Sequence, residues 1–412
     1  MKSNYKKLGE YIRSINNRNK ELISEDLQGL SMSKEFRKST SNIIGTDLKN
    51  YKLVYKHQFA CDFMSIIRVH KFPVVLHVEI EPIIVSPAYT VFEVIDEEVL
   101  NPQYLMMWLR RTEYDRYADF RCDSAIRGGF KWEELCESEI PIPSIEKQRE
   151  IVKEYHSITD RIKLNEQLNQ KLEDTVQSIY TEWFVNFEFP DENGKPYKSS
   201  GGEMVFCDEL DREIPKGWEL LPLSDYCDIN FSKRIFLSEY TTEGVPFYRS
   251  KEIILKKQGK SISNELYISR ERYSEIISRF GAISKGDILL SAVGTIGVSY
   301  MVQEEEFYFK DGNLFWFRNF KDDSINSYLY EWMQNEEFKK AIDEITFGST
   351  QKVITTTALY EVKVLLPSKK IREKFSNLSS TIRNNINMNN HLTFCLEELQ
   401  ETLLSKMATI EG

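Results

Sequence analysis

Tyr104-Leu105-Met106-Met107-Trp108 returns 224 residues later as Tyr328-Leu329-Tyr330-Glu331-Trp332. Outward from that pair, residues 101–184 lie on 325–408 without a gap. Leu135 falls on Leu359 and Pro143-Ser144 on Pro367-Ser368. Ile158, Ile162, Asn165, Leu168, Leu172 and Glu173 fall on Ile382, Ile386, Asn389, Leu392, Leu396 and Glu397. Fifteen of the 84 positions are identical, and the matches follow the apolar positions of one pattern in one order. Solenoid repeats run roughly 20–50 residues, so this period is a whole domain with an attached helix, written twice. Such a chain is expected to face a partner having two similar halves.

Each copy ends in a long segment, roughly 145–184 and 368–408, with no internal Pro or Gly. Every seventh residue reads Ile151, Ile158, Asn165, Leu172, Ile179 in the first and Phe375, Ile382, Asn389, Leu396, Leu403 in the second. Apolar heptads sustained this long predict a coiled-coil seam. A central Asn in each seam fixes register at a cost in stability. Antiparallel pairing relates the two globular units by an approximate two-fold axis, and a centred pair brings Asn165 against Asn389. Ile158, Ile162, Leu172, Ile382 and Leu396 are then core, flanked by partner contacts. The plainer alternative is that each helix packs only on its own domain.

The fold class expected is α+β: two mixed, mainly β units in pseudo-two-fold repeat, separated by two long helices forming an antiparallel coiled coil. The first unit spans 1–143, a central helix 144–187, a linker 188–213, the second unit 214–367, and a distal helix 368–412. Strands are predicted at 51–55, 72–78, 81–87 and 90–95, from β-branched and aromatic runs. Asn101-Pro102 starts a helix running through Trp108 to about Tyr117. Leu223-Ser224-Asp225-Tyr226 echoes Leu8-Gly9-Glu10-Tyr11. Further strands are predicted at 286–290, 297–302 and 313–317, and 362–367 is the counterpart of 138–143. Residues 191–196 and 199–202 have loop composition.

With 412 residues, 41% hydrophobic and 12% aromatic, the chain has material for two or three folded cores. No apolar run reaches the length of a membrane span, and the basic start leads into no apolar segment, so no secretory signal is read. Six scattered cysteines without a CxxC pair read as reduced thiols of a cytoplasmic protein. A net charge of −10 argues against nucleic acid only on average, since binding depends on local clusters. Lys2, Lys6, Lys7, Arg13, Arg18 and Lys20 face Glu10 alone, and residues 249–285 hold nine Lys or Arg against four Glu.

Catalytic motifs are weak. Asn101-Pro102-Gln103-Tyr104 is similar to the base-holding motif of adenine methyltransferases, but its repeat copy, Ile325-Asn326-Ser327-Tyr328, loses the Asn-Pro, and no Gly-rich cofactor loop accompanies it. Glu361-Val362-Lys363 has nuclease-like spacing, yet Glu137-Ser138-Glu139 lacks the lysine. Gly281–Gly286 lacks the Gly-Lys-Ser/Thr order of a phosphate loop. His57, His70, His77, His156 and His391 show no metal-ligand spacing, and no nucleophile elbow occurs. No catalytic residue and no metal site are expected.

Four stretches together resemble the specificity subunits of type I restriction–modification systems. Ile140-Pro141-Ile142-Pro143-Ser144 followed by Gln148 and Ile151 is similar to the family's end-of-domain signature, and Val364-Leu365-Leu366-Pro367-Ser368 repeats it. Ser178–Phe187, around Trp183-Phe184, resembles the exit from the central helix. Ile214-Pro215-Lys216-Gly217-Trp218 resembles the start of the second recognition domain. Gly348-Ser349-Thr350-Gln351-Lys352 resembles the segment before the last strand. The pattern departs at Asp123-Ser124-Ala125-Ile126-Arg127, which stands where the second unit has that Gly-Ser segment, and at Arg372, where Gln is usual.

The resemblance implies a subunit without activity of its own. Each unit is a target recognition domain reading one half of a split double-stranded DNA target, and the paired helices set the spacer. Two adenine methyltransferase subunits dock on it, and motor–nuclease subunits can join. S-adenosylmethionine, ATP and Mg2+ are used by those partners, and none is bound by this chain. Candidate DNA contacts are Lys34, Arg37 and Lys38 in the first unit and Arg249, Lys251, Lys256, Lys257 and Lys260 in the second. Lysine and arginine at phosphates give affinity, whereas contacts to base edges give specificity. The competing readings are a self-contained DNA methyltransferase or nuclease, and a coiled-coil scaffold without DNA reading.

Overall fold

The computed structural model of the chain describes residues 5–39, 47–122, 130–346 and 353–409. They divide into two compact units, one from the chain up to Ile162 together with Leu396 onward, the other from Lys163–Cys395.

The strands of the first unit are β1 (Tyr5–Lys7), β2 (Ile12–Ile15), β3 (Gln28–Leu30), β4 (Phe36–Lys38) and β5 (Lys52–Val54). They continue with β6 (Gln58–Cys61), β7 (Val74–Leu76), β8 (Ile83–Val85), β9 (Thr90–Val94) and β10 (Glu139–Pro141). Its helices are α1 (Ile66–Val69), α2 (Pro102–Arg110), α3 (Thr112–Cys122), α4 (Trp132–Glu137) and the first part of α5 (Ile145–Tyr180). An antiparallel sheet in the order β2-β9-β6-β7 is its centre. Side chains alternate across a strand, and both faces of this sheet are buried. Phe59, Cys61, Val74, Leu76, Phe92 and Val94 enter the core with α2. Ala60, Val75 and Val91 turn the other way, under Leu30, Val54, Ile83 and Val85.

The second unit has β11 (Met204–Cys207), β12 (Arg212–Pro215), β13 (Glu219–Pro222), β14 (Asp228–Asn230), β15 (Tyr240–Thr241) and β16 (Val245–Tyr248). Then come α6 (Ser250–Lys257), β17 (Leu266–Ile268), α7 (Arg270–Phe280), β18 (Ile288–Ser291), β19 (Ser299–Met301), β20 (Tyr308–Phe309) and β21 (Leu314–Arg318). Finally α8 (Asp323–Trp332), α9 (Glu336–Ile345), α10 (Thr356–Tyr360) and β22 (Lys363–Leu366) precede α11 (Lys369–Lys406). Its sheet β14-β21-β18-β19 has the design of β2-β9-β6-β7. Ile288, Leu290, Phe315 and Phe317 face one core and Leu289, Leu314 and Trp316 the other. A second sheet, β15-β17-β16-β20, belongs to this unit alone among the described residues, in the part where the two copies diverge.

The repeat extends to single bonds. Tyr104 donates its hydroxyl to the Pro141 carbonyl at 3.1 Å, and Tyr328 to that of Leu365 at 2.6 Å. Leu8 and Leu223, both fully buried, open equivalent 3-10 turns. Gln148, fully buried, donates to Pro143 O and Val99 O and accepts from Asn101 N. Arg372 repeats this tie with longer reach, donating to Pro367 O, Ser324 Oγ and Asp322 Oδ2. The Gln-to-Arg departure therefore keeps the same clasp on the strand end.

Asn101 is the cap of α2, its side chain accepting from Gln103 N and Tyr104 N, as a helix start requires. The helix expected to reach Tyr117 breaks at Arg111, whose backbone is extended (ψ 139°) while its guanidinium stacks 4.2 Å over the Trp108 ring. The expected linker is also folded. Phe187 and Phe189 are buried against Trp218, and β11 pairs with β12 in a hairpin whose Arg212 reaches Glu337 at 3.5 Å. The stretches 123–127 and 348–352 lie outside the described residues.

The two long helices pair antiparallel. In the first unit Gln400 donates to Thr159, and in the second the contacts are Asn165–Thr393, Asn169–Asn389 and Glu173–Arg383. Asn165 and Asn389 do not meet, contrary to expectation. Asn165 donates to Thr393 Oγ1 at 3.2 Å, while Asn389 donates to Asn169 Oδ1 at 3.0 Å and Asn169 to Asn390 at 2.7 Å. An offset of about one turn lets Asn169 form two such bonds, and a centred pair would strand it. Of the expected seam, Ile151, Asn165 and Phe375 are buried, and Ile158, Leu172, Ile179, Ile382, Asn389, Leu396 and Leu403 are half-buried.

Candidate nucleic-acid interface

Three of the basic residues singled out from sequence are structural. Lys34, at the turn between β3 and β4, is 4% exposed and donates to Asp115 Oδ1 at 2.7 Å and to the Leu109 carbonyl. Burial pulls its ammonium below the ordinary lysine range, and Asp115 works against that. Asp115 also accepts from Phe72 N at 2.9 Å, so one carboxylate holds two segments. Lys34 is withdrawn as a phosphate contact: its charge is spent inside the protein. Lys256 turns onto Tyr248 (5.4 Å), Tyr300 and Phe307, with Glu305 at 3.6 Å. Lys257 donates to Gln334 Oε1. Both point inward, because α6 lies on the body of the second unit and Gly259, at φ +66°, abuts Asn390 of α11.

Lys257 carries a testable consequence. Burial, opposed by Glu173 and Glu331 and reinforced by Arg383 and Lys339, pulls its pKa down to about 8 from 10.5. Between those values the unfolded state holds more protons than the folded one, so stability rises with pH across that window. Below pH 8 lysine is charged in both states and its burial opposes folding. The urea midpoint is expected to climb from pH 8 to 10 in the parent relative to Lys257→Met, which has lost this titration. Parallel curves would refute the burial of the ammonium.

What remains at the surface is differently arranged. In the ribbon of β3 and β4, Leu30 and Phe36 face each other and pack inward, so Arg37, opposite Gly29, projects outward. Arg37 and Lys38 are both exposed. A two-stranded ribbon is one of the shapes that the major groove of DNA admits. In the second unit Lys251 and Lys260 are exposed, and Arg249 is half-committed to Glu252 at 2.6 Å.

Sequence reading passed over the loop after β14, where Phe231, Lys233, Arg234, Phe236 and Leu237 are exposed. Its backbone is held by Ser232 Oγ donating to Phe309 O and Lys233 N to Tyr308 Oη, both 2.7 Å. Lys233 lies 4.3 Å over the Phe280 ring. The corresponding loop after β2 exposes Lys20, Leu22 and Ile23 and is pinned by buried Asn19. A rigid loop presenting cations among apolar side chains suits a phosphate backbone with bases beside it. The signal was the alternation Phe231-Ser232-Lys233-Arg234-Ile235-Phe236 itself.

Among the described residues no group of three or more His, Cys, Asp or Glu is placed to hold a metal. Lys363 pairs with Glu209, and the six cysteines are free thiols. No described helix is long and apolar enough to cross a membrane.

Residues 215–393 match the family described as type I restriction modification DNA specificity domain. A putative type I restriction enzyme specificity subunit, S.HindORF215P of Haemophilus influenzae, is 30% identical over 46% of this chain and 46% of its own length. The HindI specificity subunit of the same organism is 23% identical over 80% of this chain and 81% of its own. The chain thus spans about half of the first relative and four fifths of the second. The crystal structure of a type I restriction–modification system S subunit from M. genitalium has a TM-score of 0.57 at 13% identity, covering 99% of this chain and 96% of that one. Domain match over residues 215–393, relatives along up to four fifths of the chain, and a shared fold of twice-written sheet and long helix agree: this chain is similar to the specificity subunits of type I restriction–modification systems.

Proposed function

We propose that this chain selects the DNA target of a type I restriction–modification complex by reading two separate blocks of one duplex. The observation that carries the reading is duplication at the level of single bonds, from Tyr104–Pro141 and Tyr328–Leu365 to Gln148 and Arg372. Two copies of one scaffold with different middles suit two unlike half-sites. Each unit offers exposed cations on a rigid support: Arg37, Lys38 and Lys20 in one, Lys233, Lys251 and Lys260 in the other. The long helices set the unread spacer.

The same reading gives the chain no catalysis of its own. Two adenine methyltransferase subunits dock on it and use S-adenosylmethionine, and motor–nuclease subunits add ATP- and Mg2+-dependent restriction. DNA selection on the chain co-expressed with its methyltransferase is expected to yield two short blocks around a fixed gap. One continuous block would mean that a single unit reads. No enrichment would favour the protein-only scaffold, and methyl transfer by the isolated chain would revive the enzyme.

A further inference from the structure

The first unit has an open cavity of about 440 Å³ lined by Tyr5, Trp108, Arg111, Tyr114 and Tyr117 and rimmed by Glu113, Glu137 and Glu139. Two of its donors are buried and unsatisfied among the described residues: Trp108 Nε1, on a side chain 5% exposed, and Arg111 Nε, on one 7% exposed. Buried donors without acceptors are rare and costly.

The repeat indicates what a ligand of this cavity looks like. Shifted by 224 residues, Glu113 becomes Glu337, Tyr114 becomes Phe338 and Glu139 becomes Lys363. In the second unit this surface is covered by the hairpin of β11 and β12. Arg212 reaches Glu337 and Glu209 reaches Lys363, while Met204, Cys207 and Leu210 pack on the core that holds Phe338. No described segment of the first unit takes the hairpin's place. The rim has also changed sign at one point, glutamate in place of Lys363.

We infer that this surface of the first unit is a docking site for a turn of a second polypeptide that carries lysine or arginine between apolar side chains. Its basic side chain meets Glu139, and its apolar side chains lie on the face of Tyr114 and Tyr117. On the rim Glu113 already pairs with Arg111 and Arg116 at 3.5 Å and Glu137 with Lys7 at 2.6 Å, which leaves Glu139 as the carboxylate open to a basic side chain. The site does not depend on DNA reading.

The probe is a synthetic peptide of residues 203–216 with Glu209→Lys, titrated into the full-length chain by calorimetry. Saturable binding is expected, weakened at least tenfold by Glu139→Lys in the chain, a change at an exposed position that circular dichroism will show to be folded. The same variant should gain affinity for the peptide with its original Glu209. Absence of binding, or binding indifferent to Glu139→Lys, overturns the proposal. A photo-crosslinker at Tyr117 in the chain co-expressed with its methyltransferase should label a basic turn of that partner. Crosslinks confined to this chain's own residues would also overturn it.

Discussion

Replacing Arg383 by alanine is expected to cost the second unit about 3–5 kcal/mol, the range for breaking one side of a buried ion pair. An exposed pair would cost at most about 1 kcal/mol. The geometry places this one in the first class. Arg383 grips Glu331 with Nε and Nη2 at 2.7 and 2.6 Å, and its third nitrogen reaches Glu173. The Glu331 side chain is 0% exposed and also accepts from Ser379 Oγ at 2.9 Å and Gln177 Nε2 at 2.8 Å. Removing the guanidinium leaves a buried carboxylate with two neutral donors. The network ties α8 to both long helices within this unit, so its loss should also raise proteolytic cutting near 331. Urea unfolding of Arg383→Ala measures the cost. The double variant Glu331→Gln with Arg383→Met should recover most of it, since neither side then buries a charge. A single-variant loss under about 1 kcal/mol would mean that water reaches the pair.

How much of this was legible beforehand differs by kind of interaction. The twice-written scaffold was legible because apolar positions are constrained by both helix period and core depth. Tyr104 and Tyr328 do the same job and therefore look the same. The start of α2 was legible because Asn101-Pro102 is local chemistry: the cap and the first-turn proline act within four residues. The break at Arg111 was not, because it follows from a guanidinium finding an indole face in three dimensions. Helix register was mispredicted for a related reason. The heptads fix which side of each helix turns inward, but the one-turn offset is chosen by Asn169 bonding both Asn389 and Asn390. The segment 188–213 reads as linker because its Gly and Ser are loud and its core contributions, Phe189, Tyr197, Met204, Cys207 and Leu210, are scattered without a period. Charge was least legible of all. A lysine in the sequence carries no sign of whether a carboxylate awaits it far along the chain.

Lys34 and Arg37 make that last point measurable, since they stand three residues apart on one ribbon and should fail in opposite ways. Lys34→Ala leaves Asp115, 8% exposed, without its cation, and an unfolding cost of about 3–5 kcal/mol is expected. Lys34→Met with Asp115→Asn should restore much of it, because the amide oxygen still accepts from Phe72 N while no charge is buried. Arg37→Ala removes an exposed side chain opposite Gly29 and should leave unfolding within about 0.5 kcal/mol of the parent. Under the proposed function its effect falls on DNA binding. In the proposed complex with methyltransferase, log K against log salt should lose about one unit of slope, as expected for one phosphate contact removed. If Arg37 instead reads a base edge, the slope will stay and selection will relax at one position, by about 1–3 kcal/mol of discrimination. Either result keeps the ribbon at the duplex. Unchanged slope together with unchanged selection would take it away, and leave the loops after β2 and β14 as the surfaces that meet DNA.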